Sequence, residues 1–420
     1  MAIVVGPEHK AFPPSSWGRR VDDVVGTALA DLQTPVLTLD RAALTHNLTA
    51  MFDWLATEGL AIAPHGKTTM APQLWAELLD AGAWGLTLAT GWQVQVAREA
   101  GVRRIMLANA LVDPVGLRWL AAELDAHDEV EVVTWVDGPA TVARMAEVLA
   151  PLRPRRRIPV VVELGGAGGR TGARGLDAAL DVARAVAASP HLEVAGVGGY
   201  EGAVAHDRSA DGLGRVDAYL DDVAALHRAV LAAGLYRDAR PIVTAGGSAY
   251  PDRVAARLGS LRDEAVVLLR SGAFQVHDDG FYAGISPMGT LVGQVPFRAA
   301  MHGWTRVVSR PEPGLALLDA GKRDLPFDEG LPVPQRIVGA TRALSEGVLT
   351  GSRITALNDQ HAFLRLADDV ASPDVLPVGT VVRLGLSHPC TALDKWRLVP
   401  VIDDADGAAP VLVDAIGTVF

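Results

Sequence analysis

Val194-Ala195-Gly196-Val197 and Ile242-Val243-Thr244 are two short apolar runs with a long helical pattern between them. In that interval Leu213, Val216, Leu220, Val223, Leu226 and Val230 recur at three-to-four-residue spacing, which gathers their side chains on one helical face. Strand, amphipathic helix and strand in this order form a βα unit, and its strands lie parallel in one sheet. The alternation extends both ways. Val36–Leu39, Leu60–Ala63, Trp84–Leu88, Arg104–Leu107, Val130–Val136 and Ile158–Leu164 precede the pair and Ala265–Leu269 follows it, nine strand candidates in all. Asp40 is placed to cap a helix carrying Leu44, Leu48 and Met51. Eight βα repeats close a barrel, which leaves one strand over. The first, Val36–Leu39, is assigned outside it.

The predicted fold class is therefore α/β, a (β/α)8 barrel over residues 60–285, entered through residues 34–59. Beyond about Ile285 helical periodicity fades, and short runs such as Leu315–Leu318, Val381–Leu386 and Val411–Val413 are spaced by Gly, Pro and Asp. This texture predicts a mostly antiparallel β domain over residues 286–420. The N-terminal segment, residues 1–33, bears Pro and Gly and is left open between packing on that domain and a loose arm.

With 49% apolar and 21% charged residues, the 420-residue chain has a globular composition. Its 38 basic residues face 49 acidic ones, a net charge of -11, so the surface repels phosphate backbones and anionic lipid. Neither nucleic acid nor membrane is an expected partner. The one basic run, Arg153 and Arg155-Arg156-Arg157, is set among Pro151, Pro154 and Pro159 and reads as a solvated loop. Ala81–Ala97 is uncharged but interrupted by Gly82, Gly85, Gly91, Gln93 and Gln95, a poor bilayer span. The single cysteine and the absence of a leader-like apolar stretch at the start predict a cytoplasmic protein.

Three constellations carry chemistry. Lysine occurs at only four positions, and Lys67 follows Leu60-Ala61-Ile62-Ala63 and the turn Pro64-His65-Gly66, at a strand's C-terminal end. Barrel enzymes keep their reactive groups there, and a partly desolvated lysine serves as nucleophile and base. Thr244-Ala245-Gly246-Gly247-Ser248 follows another strand, with glycines that bring N–H groups close to an anion and a hydroxyl beside them. Gly165, Gly166, Gly168 and Gly169 before Arg170-Thr171-Gly172 form a second glycine-rich strand end, this one carrying a cation. Ser387-His388-Pro389-Cys390-Thr391 is the third. In an extended segment residues two apart share a face, so the imidazole and thiolate converge on one metal ion. Taken singly these read as a surface lysine, a tight turn and a buried thiol.

Taken together, they resemble a known family. The Thr34-Pro35 opening strand, Pro64-His65-Gly66-Lys67-Thr68, Arg170-Thr171-Gly172, Gly246-Gly247-Ser248 and Ser387-His388-Pro389-Cys390 with Asp394-Lys395-Trp396 are similar, in order, to the D-serine dehydratase and D-threonine aldolase group. These are pyridoxal-phosphate enzymes of the alanine-racemase fold, and the D-serine dehydratase-like deaminases are the nearest match. The resemblance implies that Lys67 is the Schiff-base lysine, and that Gly246, Gly247 and Ser248 hold the cofactor phosphate. It places Arg170 near the pyridine ring and Tyr200, His65 and Thr244 around the cofactor. Gly272 joins the cofactor set, although Arg270-Ser271-Gly272-Ala273 departs from the Arg-x-Gly-Thr pattern of this group. His388 and Cys390 match its metal ligands, zinc first and manganese as the alternative. The resemblance also sends the first strand into the β domain and implies a homodimer whose site lies where one subunit's barrel meets the other's β domain.

Such an enzyme would eliminate water from a β-hydroxy-D-amino acid to give a 2-oxo acid and ammonia. The competing reading is retro-aldol cleavage to glycine and an aldehyde. Cysteine at the metal position goes with the dehydratases, a carboxylate with many of the aldolases. A racemase has no use for the metal, and a non-catalytic cofactor carrier none for the ligand pair.

Overall fold

Strand β1 (Val36–Asp40) is buried along its whole length and leads into helix α1 (Arg41–Glu58), whose first turn Asp40 caps by accepting from the Ala43 N–H at 2.8 Å. The structure, a computed structural model, describes residues 3–289, 295–370 and 375–420. After α1 the chain alternates. Strands β2 (Ala61–Ile62), β3 (Leu86–Leu88), β4 (Arg104–Leu107), β5 (Glu131–Val136) and β6 (Ile158–Gly165) are separated by helices α2 (Pro72–Asp80), α3 (Gly91–Glu99), α4 (Pro114–Ala126) and α5 (Pro139–Leu149). A two-residue strand β7 (Ala173–Arg174) lies beside β6, followed by α6 (Leu176–Ala188), β8 (Leu192–Gly199), α7 (Ala210–Ala232), β9 (Ile242–Thr244), α8 (Pro251–Leu258) and β10 (Val266–Leu269).

The parallel order is β2-β10-β9-β8-β6-β5-β4-β3. Between β3 and β2 the ring is completed by a bridge from His65 to Thr87 and by the Trp84 and Thr87 N–H groups, which donate to Ile62 and Pro64 carbonyls at 2.8 Å. The strands are apolar on both faces, as covered parallel strands must be. On β6, Val161 points to an inner core with Met106, Val133, Trp135, Ala195 and Leu268, whereas Val160 and Val162 meet the outer helices. Helix α7 buries Val216, Leu220, Val223, Leu226 and Val230 as its spacing requires.

The short helix α9 (Phe281–Ile285) leads out of the barrel toward β11 (Met301–Glu312). Strands β12 (Leu315–Leu318), β13 (Val333–Ile337), β14 (Arg353–Leu357), β15 (Ala362–Arg365), β16 (Val381–Gly385), β17 (Leu398–Ile402) and β18 (Leu412–Gly417) complete a second sheet, with α10 (Arg342–Leu349) between β13 and β14. Its order is β14-β15-β12-β11-β1-β17-β18, with β16 pairing β11 and β13. All pairs are antiparallel except β1 with β17. The leftover first strand thus sits mid-sheet in the β domain. The N-terminal segment packs there too, because Val5, Phe12, Val21, Val24 and Leu32 are buried in the same core as Trp396 and Leu398. The basic run closes the end of α4, where the Arg156 guanidinium donates to the Leu124 and His127 carbonyls and Arg155 pairs with Asp128 at 2.6 Å. No helix among the described residues is long and apolar enough to cross a membrane.

Candidate active site

Lys67 sits in a one-turn 3-10 helix, Gly66–Thr68, directly after β2 at the C-terminal rim of the barrel. Trp75 Nε1 and the Met70 N–H both donate to the Gly66 carbonyl, at 3.0 and 2.9 Å, which locks the turn. Beside it the His65 ring is desolvated and its Nδ1 has no partner among the described residues. Burial, then the positive charges of Lys67, Arg270 and Arg170, hold its pKa well below the ordinary value, so the ring is neutral. Gly272 comes so close that a Cβ there would lie 2.6 Å from His65 Cβ and 2.7 Å from its backbone nitrogen.

The ends of β8, β9 and β10 are laced together. Arg270 is 2% exposed; its Nη1 donates to Thr244 Oγ1 and its Nη2 to the Gly199 carbonyl, both at 2.6 Å. Thr244 in turn donates to the Leu268 carbonyl at 2.8 Å, so its hydroxyl is engaged in holding Arg270. Gly246 adopts φ +97°, a left-handed conformation that favours glycine. Its N–H and that of Gly247 both donate to the Glu201 carboxylate, at 2.8 and 2.7 Å. Ser248 Oγ accepts from the Ala273 N–H at 3.2 Å, and Ser271 Oγ donates to the Gly247 carbonyl at 2.6 Å. At the β6 end Arg170 is exposed and lies 4.8 Å over the Tyr200 ring. Glu163 accepts from Thr171 Oγ1 at 2.8 Å, and burial raises its pKa against that bond.

The β domain reaches this rim from the side. The loop after β16 is drawn to the barrel exit because Asp278 Oδ2 accepts from the His388 N–H at 2.9 Å and Gly280 packs on Ser387 with no room for a Cβ. Asp328 Oδ2 holds His388 Nδ1 at 2.6 Å, and Thr391 Oγ1 donates to its other oxygen at 2.6 Å. Cys390 Sγ lies 3.4 Å from Thr68 Oγ1, next door to Lys67. Its bond to Cys390 raises the His388 pKa to about 9, with Asp328 helping against burial. Burial works to raise the Cys390 thiol, but bonds to His388 and Thr68 and the Lys67 charge bring it down.

One expectation is corrected here. The His-x-Cys pair is not extended: His388 is left-handed at φ +48° and Cys390 lies in a 3-10 turn, Pro389–Thr391, because Pro389 fixes φ and has no N–H for a ladder. Convergence comes from the turn. The lysine and the ligand pair meet within one chain, through Thr68 and Cys390.

Residues 300–402 match the model of a putative serine dehydratase domain. The chain is 26% identical over 364 residues to the D-threonine aldolase of an Arthrobacter species, covering 86% of this chain and 87% of that one. It is 25% identical over 384 residues to the D-threo-3-hydroxyaspartate dehydratase of Delftia sp. strain HT23, covering 86% and 92%. The crystal structure of the Filomicrobium marinum D-threonine aldolase superposes with a TM-score of 0.78 at 26% identity, over 94% of this chain and 97% of that one. This chain is a homologue of these lyases. Its barrel and β domain have the alanine-racemase fold, shared with an alanine-racemase-like protein of Idiomarina loihiensis at a TM-score of 0.73.

The rim suits pyridoxal phosphate. It offers a lysine, two buried nitrogens without partners among the described residues at His65 Nδ1 and Arg270 Nε, a hydroxyl at Ser248, and glycines where a side chain would intrude. The His388 and Cys390 pair suits a soft divalent ion, and the Asp328 bond to Nδ1 leaves Nε2 as the ligand nitrogen. Among the described residues no cluster of three His, Cys, Asp or Glu forms.

Glu201, Arg270, Glu163, Asp278, Asp328 and Tyr282 escaped the sequence reading. Burial first, then the charges of Cys390 and Tyr200, raise the Tyr282 phenol. A signal existed only for Arg270, in the segment compared with the Arg-x-Gly-Thr pattern.

Proposed function

We propose that this chain is a pyridoxal-phosphate- and zinc-dependent lyase that eliminates water from a β-hydroxy-D-amino acid, giving a 2-oxo acid and ammonia. The observation that carries the reading is the 3.4 Å contact between Cys390 Sγ and Thr68 Oγ1, which sets the ligand pair beside Lys67. When bound, the cofactor would acidify the substrate α-carbon and the metal would act as a Lewis acid toward the β-hydroxyl. Lys67 Nζ would hold the cofactor and is the amine placed to take the α-proton. His65, neutral beside it, adds no further positive charge at the rim. Ser248 and the loop around it anchor the phosphate, with Gly246, Gly247, Gly272 and Thr244 shaping the seat. Arg170, which lies 4.8 Å over the Tyr200 ring, and Tyr200 itself would line the cofactor's pyridine side. As a ligand His388 would have to be neutral, so metal binding would be coupled to proton loss.

Retro-aldol cleavage is the second reading, favoured by the likeness to D-threonine aldolase over 86% of the chain. Cys390 supports elimination, since thiolate ligands select zinc over harder ions. The proposal includes a homodimer in the cytoplasm, supported by the family resemblance and by the single cysteine. Incubation of the purified holoenzyme with D-serine, D-threonine and D-threo-3-hydroxyaspartate tests it. A 2-oxo acid with ammonia is the expected outcome; glycine with an aldehyde would transfer the assignment to the aldolase.

A further inference from the structure

Glu201 is an unusual group in this rim. It follows β8, is 0% exposed, and among the described residues no Lys or Arg lies within ion-pair distance of it, the buried Arg270 acting on it only at longer range. A buried carboxylate without a counter-ion is costly unless hydrogen bonds offset the loss of water. Its two oxygens meet that requirement with the N–H groups of Gly246 and Gly247 at 2.8 and 2.7 Å. Those are the groups a glycine-rich strand end would otherwise present to a phosphate. The Ser248 hydroxyl, which accepts from the Ala273 N–H at 3.2 Å, lies on the adjoining side with no other partner among the described residues.

The bonds around Glu201 run in both directions along the rim. Glu201 reaches forward from β8 to the loop after β9, while Arg270 reaches back from β10 to Thr244 and Gly199. Ser271 ties the same loop from the far side through the Gly247 carbonyl at 2.6 Å. The loop is thereby fixed at three points.

We infer that Glu201 is a positioning residue for the phosphate-binding loop: its carboxylate takes the Gly246 and Gly247 N–H groups and so sets Ser248 and the Ala273 amide around the phosphate. The inference rests on the pyridoxal-phosphate reading. Glu201→Gln keeps the size of the side chain but turns an NH2 toward one of the two donors, so a charge-assisted bond becomes a donor–donor clash.

The test compares pyridoxal phosphate with pyridoxal, which lacks the phosphate, by titrating the Schiff-base absorbance of the apoprotein. Glu201→Gln is expected to weaken pyridoxal phosphate binding at least tenfold and to leave pyridoxal within twofold. Tighter pyridoxal phosphate binding would overturn the inference, because Glu201 would then be an occupant that the phosphate displaces. Equal losses for both ligands with a lowered melting temperature would also overturn it, as a merely structural role. If Glu201→Gln does not fold, a crystal structure of the wild-type holoenzyme decides: Glu201 still bonded to both N–H groups supports the inference, and phosphate bonded there in its place overturns it. A wild-type protein that shows no Schiff-base band with either aldehyde would instead remove the cofactor reading itself.

Discussion

Asp328 Oδ2 grips His388 Nδ1 at 2.6 Å across a separation of 60 residues, and Thr391 Oγ1 steadies the same carboxylate. The bond fixes the imidazole tautomer and ring orientation before any metal arrives, which makes Asp328 a partner of the metal through its ligand. Asp328→Asn is expected to weaken zinc affinity by about 10- to 100-fold. Competition with a chromophoric chelator measures it, and the Schiff-base spectrum should not move. Unchanged zinc affinity would show that His388 needs no such support.

Lys67 is expected to be the residue that bears the cofactor. Borohydride reduction of the holoenzyme should abolish the Schiff-base band and leave the label on the peptide containing Lys67. Lys322, whose Nζ lies 5.6 Å over the Phe327 ring in the β domain, is the internal control. Label on its peptide instead would move the site.

Gly272→Ala tests the close approach under the cofactor. The added Cβ would stand 2.6 to 2.8 Å from His65 Cβ, N and O, and backbone cannot yield as a flexible side chain does. A loss of about 1–3 kcal/mol in stability is expected, as for overpacked cores. Weaker cofactor binding should accompany it, since His65 directly precedes the Lys67 turn. Urea unfolding and cofactor titration measure the two effects.

Asp279 supplies a pH-dependent term. Burial first, opposed by Gln335 and Arg383, raises its folded pKa from 3.8 to about 6, and its Oδ2 lacks a partner among the described residues. Between those values the folded state binds more protons than the unfolded state, so this group's stabilising contribution is full below 3.8 and lost as pH rises through about 6. Asp279→Asn has no such loss. Relative to wild type it is expected to gain stability as pH rises from 4 to 7, at about 1.4 kcal/mol per pH unit at most. Urea midpoints at the two ends give the answer, and a difference that does not change with pH would remove the assignment.

The contrast between Lys67 and Glu201 explains what could be read in advance. Lys67, His388 and Cys390 announce themselves through their immediate neighbours, a strand end and a turn. Glu201 acquires its role from Gly246, 45 residues away, and nothing adjacent to it hints at that bond. The barrel was legible because its strands are apolar on both faces and its helices on one. In the β domain β12 was legible as a pure apolar run, but β11 was not, since His302, Gly303 and Arg306 break its pattern. The meeting of the ligand pair with its own chain's lysine depended on Asp278 and Gly280 at the barrel exit, positions with no local mark.

The cysteine ligand separates the two enzymatic readings. With His388 and Cys390 holding a zinc ion that assists departure of the β-hydroxyl, chelation is expected to abolish elimination and leave the Schiff-base spectrum intact, because the cofactor is anchored at Lys67 and around Ser248. Added zinc should restore activity. Cys390→Ala removes the anionic ligand along with the contact to Thr68 at 3.4 Å, and near-complete loss of dehydration is expected. Cys390→Asp keeps an anion but offers a harder oxygen donor, so it should favour manganese over zinc. Product analysis of that variant should show part of the flux diverted to glycine and aldehyde. Full dehydration by Cys390→Ala in the presence of a chelator would falsify the metal role and reduce Cys390 to a structural thiol held by Thr68.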